Sequence, residues 1–135
     1  ALSRSPRVSR FLARRGTGES HVRRALRDTG ATISEPMIRR YTTLISQPEH
    51  IEGTLRMMGG WELGQLSKDL PKLNTPTHLI GCAKDHIVPA IRAHRATREI
   101  PNATAITLED AGHLVHEAEP ERVTQAFFHF TERLN

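Results

Sequence analysis

Two short apolar runs limit what this chain can become. Residues 77–82 (Thr-His-Leu-Ile-Gly-Cys) and 103–108 (Ala-Thr-Ala-Ile-Thr-Leu) each lie between turn signals, and the second is rich in β-branched residues. Runs of this length and composition read as strands. Between them, residues 89–100 read as a helix with Ile91 and the alanines inward. After them, Pro120 starts a helix with Val123, Phe127, Phe130 and Leu134 on one face. Strand–helix–strand–helix is the pattern of a parallel sheet. Two strands alone cannot cover both faces and both edges of such a sheet. The chain is therefore expected to be a piece of a larger α/β protein, or to borrow strands by forming a homo-oligomer through its open sheet edge.

The first half reads as helices. Residues 3–15 suggest a short basic helix, broken at Gly16-Thr17-Gly18. Residues 19–28 form a second, with Val22, Ala25 and Leu26 at helical spacing and a stop at Thr29-Gly30. Ser34 caps a third, with Glu35 and Pro36 in its first turn and Met37, Ile38, Tyr41, Leu44 and Ile45 following at intervals of three and four. Pro48 opens a fourth, with Ile51, Leu55, Met58 and Trp61 on one stripe and a weak point at Gly59-Gly60. A short helical turn through Leu66 precedes Asp69-Leu70-Pro71.

A chain of 135 residues is one domain or part of one. Aromatic residues make up only 4%, so the core must rest on aliphatic side chains. Cys82 is the single cysteine, which excludes an internal disulfide and a cysteine-based zinc site. Apolar runs fall well short of the roughly 20 residues of a membrane span, and the arginine-rich N-terminus lacks the apolar stretch of a secretory signal. A cytoplasmic location is expected. Charge is unevenly spread: residues 1–40 hold ten arginines against three acids, a net +7, and residues 41–135 hold nine bases against twelve acids, a net −3. Such a block is either a solvated helix surface or a site for phosphate, carboxylate or a peripheral anionic membrane. It lacks the interleaved aromatics of a nucleic-acid site, so no nucleic-acid partner is expected.

The chemistry lies where the strands end. Asp85 follows the first strand and His113 the second. In open α/β sheets, ligands bind beyond the carboxyl ends of the strands. Neighbouring parallel strands would set the two loops within about 10 Å of each other. An aspartate bonded to one imidazole nitrogen fixes the tautomer, and the other nitrogen can then take a proton from a serine. Gly112 lets the chain turn tightly before His113. Taken separately, Asp85 could instead be a turn or cap residue and His113 an ordinary loop histidine.

Together, and in this order, the two residues resemble the acid and base of an α/β-hydrolase, whose triad runs serine, acid, histidine. Cys82-Ala83-Lys84-Asp85-x-x-Val88-Pro89 looks like that fold's Gly-x-x-Asp-x-x-Val-Pro loop, with Cys82 standing where glycine is usual and Gly81 one place earlier. A narrower resemblance runs over most of residues 4–130. It rests on Tyr41-x-x-Leu44-Ile45-x-x-Pro48-x-His50, Met57-Met58-Gly59-Gly60-Trp61-Glu62-Leu63, Asp69-Leu70-Pro71-x-Leu73 and Gly112-His113-Leu114-x-His116-Glu117-x-x-Pro120. These resemble the magnesium-chelatase accessory hydrolases of bacteriochlorophyll synthesis. The resemblance implies the C-terminal part of an α/β-hydrolase fold: a helical cap over residues 1–70, then two parallel βα units over residues 71–135.

That family carries its nucleophilic serine and oxyanion loop ahead of the cap. No Gly-x-Ser-x-Gly occurs here, and Ser67 lacks flanking glycines. The expected catalytic residues are thus Asp85 and His113, two members of a triad. Met57, Met58 and Trp61 are expected either to line a substrate pocket or to form cap core. Histidines 78, 86, 94, 113 and 116 lack a zinc-like ligand set, so neither a metal nor another cofactor is expected. The resemblance implies ester or acyl hydrolysis in the full-length protein, a small-molecule substrate such as a porphyrin, and an accessory role in magnesium insertion with magnesium chelatase as partner. The other reading is a non-catalytic accessory protein that binds porphyrin or chelatase.

Overall fold

The structure, a computed structural model, describes residues 18–134. The helix expected over residues 3–15 lies outside them, as do Arg4, Arg7, Arg10, Arg14 and Arg15. The described chain forms two compact units: residues 18–26 with 33–63, and residues 27–32 with 64–134.

The first unit is helical. Helix α1 (Glu19–Asp28) buries Val22 and Leu26, one turn apart, and its last two residues belong to the second unit. Helix α2 (Glu35–Ile45) starts where Ser34 predicts: the Ser34 hydroxyl accepts from the Met37 N–H at 3.4 Å, and Pro36 occupies the first turn. Its Met37 and Ile38 are buried. Arg23 joins the two helices by donating to Glu19 and Glu35, each at 2.8 Å. These carboxylates raise the Arg23 pKa further above its ordinary value, the Glu35 hydrogen bond contributing most. Helix α3 (Pro48–Gly59) ends at the glycine pair, and the Gly60 N–H caps it on the Arg56, Met57 and Met58 carbonyls. Trp61 therefore stands beyond the helix and not on its stripe.

The second unit holds the sheet. Helix α4 (Leu63–Asp69) begins at the boundary, and a single 3₁₀ turn (Leu70–Lys72) follows it. Strands β1 (Thr77–Cys82) and β2 (Ala103–Leu108) pair in parallel, Thr77 opposite Ala103 and Cys82 opposite Leu108. Both fall where the apolar runs predict. Helix α5 (Ile91–Ala96) packs on both strands as the crossover. It is shorter than the expected 89–100, because Arg98 and Glu99 bond three residues back and tighten the chain into turns. A short helix α6 (Val115–Ala118) leads into α7 (Pro120–Glu132). His78 on β1 ties α7 to the sheet: its ring stacks on Phe130 at 4.8 Å, and its Nδ1 lies 2.7 Å from the Thr104 hydroxyl.

The sheet has only these two strands among the described residues, and none of its side chains before Gly81 is fully buried. Ile87, Val88, Ile91, Phe127 and Phe128 are exposed. The buried cluster lies at the carboxyl end of the sheet, where Cys82, Ala111 and Val115 pack with Leu108 and Val123. No helix among the described residues is long and apolar enough to cross a membrane.

These burials predict an uneven response to truncation. Ile38→Ala should cost about 2–5 kcal/mol of stability, the usual range for emptying a core isoleucine site. Met57→Ala, at a side chain 57% exposed, should change stability by no more than about 0.5 kcal/mol. Urea unfolding of the two variants checks the difference.

Candidate active site

Main-chain hydrogen bonds between the two loops carry on past the strand ends. The Ala83 N–H donates to the Leu108 carbonyl at 3.0 Å, and the Lys84 N–H to the Ala111 carbonyl at 2.9 Å. Those bonds hold the 83–85 loop beside the 109–113 loop. Lys84 and Asp110 add an exposed ion pair at 3.1 Å. Asp85 and His113, 28 residues apart in sequence, meet as a result: His113 Nδ1 lies 2.9 Å from Asp85 Oδ2.

The other carboxylate oxygen is also held. Asp85 Oδ1 accepts the N–H groups of Ile87 and Val88, both at 2.8 Å. The Asp85 side chain is 9% exposed, that of His113 35%. Burial pushes the Asp85 pKa up, but the Val88 N–H, the His113 imidazole and the Ile87 N–H together outweigh it and hold the carboxyl below its ordinary value. An ionised Asp85 can only accept, so His113 carries its proton on Nδ1 and presents Nε2 as a base. The pair thus has the form of an oriented general base.

Cys82 sits buried behind Asp85, its thiol pKa pushed up by burial first and by the Asp85 charge second. A cavity of about 370 Å³ borders the pair, with Val88, Pro89, Val115 and His116 among its walls. Met57, Met58 and Trp61 belong to the first unit and are more than half exposed there. His94 bonds to the Thr107 hydroxyl at 2.8 Å, apart from His113 and His116. Among the described residues no three His, Cys, Asp or Glu side chains group as metal ligands would.

Gly112 has a reason different from the expected tight turn. Its backbone is not left-handed; among the described residues only Gly30 has positive φ. A Cβ on Gly112 would lie 2.1 Å from the Gly30 carbonyl oxygen. In the sequence Thr29-Gly30 signals only a helix stop, with no visible link to the site. The local signal for that stop is real, since Gly30 has φ 79° and its N–H donates to the Arg27 carbonyl at 2.9 Å. Nothing local tells which loops it will touch.

A parallel βαβ arrangement with a carboxylate and an imidazole joined beyond its strand ends matches the layout that the sequence leads one to expect. The alpha/beta hydrolase family model matches residues 2–126, and the chain belongs to that family. Over 113 residues the chain is 41% identical to the magnesium-chelatase 30 kDa subunit of Rhodobacter capsulatus, covering 84% of this chain and 38% of that protein. Over 134 residues it is 31% identical to the pimeloyl-[acyl-carrier protein] methyl ester esterase of Xanthomonas oryzae pv. oryzae, covering 96% of this chain and 48% of the esterase. The chain thus spans less than half the length of these relatives. In fold it is similar to MGS-M2, an alpha/beta hydrolase enzyme from a deep-sea metagenome library, with TM-score 0.70, 20% identity, and coverage of 97% of this chain and 50% of that one.

The depressed Asp85 pKa makes a signed prediction about acid. Relative to an unfolded carboxyl near pH ~3.9, Asp85 contributes stability that is complete above that pH and is lost as pH falls through the lower folded value. Wild type should therefore exceed Asp85→Asn in urea stability at pH 7, with the gap shrinking at pH 3. A gap that widens in acid would contradict the ionised, anchored carboxylate.

Proposed function

We propose that this chain supplies the acid and base of an acyl-ester hydrolysis centre. Asp85 is the triad acid and His113 the general base. The nucleophilic serine and the oxyanion donors come from sequence outside this chain, ahead of the helices. The observation that carries the reading is the 2.9 Å bond between His113 Nδ1 and Asp85 Oδ2 on the loops that follow two adjacent parallel strands. In the reaction, Nε2 of His113 takes the serine proton as the hydroxyl attacks the ester carbonyl, and then returns it to the leaving alcohol. Asp85 steadies the imidazolium between those two steps. Water, deprotonated by the same nitrogen, clears the acyl group from the serine.

Within this reading, residues 1–70 act as a cap and 71–135 as the C-terminal part of the core. Met57, Met58 and Trp61 offer exposed apolar and aromatic surface to a substrate. The likeness to a magnesium-chelatase subunit supports an accessory role in magnesium insertion into protoporphyrin, in bacteriochlorophyll synthesis and photosynthesis. The likeness to a methyl ester esterase supports ester chemistry.

The second reading is non-catalytic binding of porphyrin or of the chelatase. It is favoured by the net +7 over residues 1–40, which would meet propionate groups or an anionic membrane. Arg23 is already committed to Glu19 and Glu35. A porphyrin affinity indifferent to charge reversal at Arg10, Arg14 and Arg15 would count against this second reading.

In a protein that joins this chain to its nucleophile-bearing segment, His113→Ala should lower p-nitrophenyl ester turnover by about 10²–10⁴-fold, the usual contribution of a general base. Steady-state kinetics checks this. Unchanged turnover would sink the assignment.

A further inference from the structure

The segment that crosses behind the two loops has no role in the chemistry so far described. Residues 27–32 leave helix α1 and belong to the same compact unit as the sheet. The Thr29 carbonyl accepts from two main-chain donors at once: the His86 N–H at 3.4 Å and the His113 N–H at 3.3 Å. The first donor is the residue next to Asp85, and the second is the proposed base itself. Next to Thr29, the Asp28 carbonyl lies 3.2 Å from His86 Nδ1.

The steric fit is tighter still. Gly30 sits at φ 79°, where a side chain is strained. A Cβ there would lie 1.7 Å from the Lys84 carbonyl oxygen, next to Asp85 on its other side. A Cβ on Gly112, just before His113, would lie 2.1 Å from the Gly30 carbonyl oxygen and 2.5 Å from the Ala31 nitrogen. So three backbones meet with no room for a methyl group: the acid loop, the base loop and the 29–31 segment.

The geometry points to Thr29-Gly30 as a positioning element that clamps the Asp85 and His113 loops at hydrogen-bonding distance. It rests on the acid–base reading of the pair and adds a residue set to it. Parallel pairing ends at Cys82 and Leu108, and beyond that point only a few loop bonds set the separation of the two side chains. One carbonyl shared by the residue after Asp85 and by His113 fixes both loops to a common point. A displacement of about 1 Å in such a pair is enough to cost catalysis heavily. Thr29 and Gly30 act through the two loops and touch no reacting atom.

The test uses the ¹⁵N-labelled 135-residue chain as wild type, Gly30→Ala, His86→Ala and Gly53→Ala. Gly53 is the control, since a Cβ there meets nothing within 4 Å. Amide hydrogen exchange at His86 and His113 reads the clamp, and the His113 Nδ1 proton resonance reads the pair. In Gly30→Ala both amides should exchange roughly tenfold faster or more, and the Nδ1 resonance should shift or broaden away. Gly53→Ala should leave both readouts at wild-type values. His86→Ala keeps the glycine contacts and loses only the ring bond, so it should give a smaller change of the same sign. A folded Gly30→Ala chain with unchanged exchange and an unchanged Nδ1 resonance would overturn the clamp. Should Gly30→Ala fail to fold, the wild-type chain decides: His86 and His113 amides protected from exchange support the clamp, and both amides exchanging at unprotected rates overturn it. A wild-type chain that protects both amides yet shows no Nδ1 resonance would support the main-chain tie and contradict the acid–base reading.

Discussion

The site depends on both oxygens of the Asp85 carboxylate being held. One oxygen is fixed by two main-chain N–H groups of its own loop, Ile87 and Val88. The other faces the His113 imidazole. The first pair of bonds shapes the loop and keeps the group ionised despite its burial. The second turns that charge into an instruction to the histidine about which nitrogen holds the proton. A carboxylate with only one of these anchors could rotate, and the imidazole would lose its orientation with it.

The sheet explains why the two side chains can meet at all. In a parallel pair both strands end on the same edge, so the loops after β1 and β2 are neighbours by topology. The register then sets how far each loop runs before its functional residue. Cys82 stands opposite Leu108, and bonds from Ala83 and Lys84 to the opposite loop continue the match. The small buried cluster of Cys82, Ala111 and Val115 lies under these loops. Packing is thus best at the carboxyl end, and the sheet faces elsewhere are only half covered. The exposed Ile87, Val88, Ile91, Phe127 and Phe128 are apolar surface of the kind that further strands and helices of a hydrolase fold would cover.

Much of this was legible in the residues. Both strands were, because short β-branched apolar runs bounded by turn residues have few other uses. The Ser34 cap and the helix of residues 19–28 were legible from local chemistry. The pairing of Asp85 with His113 followed from topology, since each comes directly after a strand. Three features were not legible, and only one of them, at Gly112, has a long-range cause. Helix α5 is shorter than expected because Arg98 and Glu99 bond three residues back and close the chain into turns. Gly112 is small because Gly30 crosses it, a contact 82 positions away in sequence. Trp61 leaves the helical stripe because the Gly60 N–H closes the helix before it. Apolar spacing also overstated burial in the first unit, where Met58 has helical spacing but stays exposed.

Under the proposed function, Asp85 dictates the tautomer of His113 and so makes Nε2 the base. The ¹⁵N chemical shifts of the His113 ring at neutral pH measure this directly, in wild type and in Asp85→Asn. A proton on Nδ1 and a bare Nε2 are expected in wild type, with the preference lost or reversed once the carboxylate becomes an amide. A neutral His113 ring that carries its proton on Nε2 in wild type, or that keeps the same tautomer in both proteins, would contradict it.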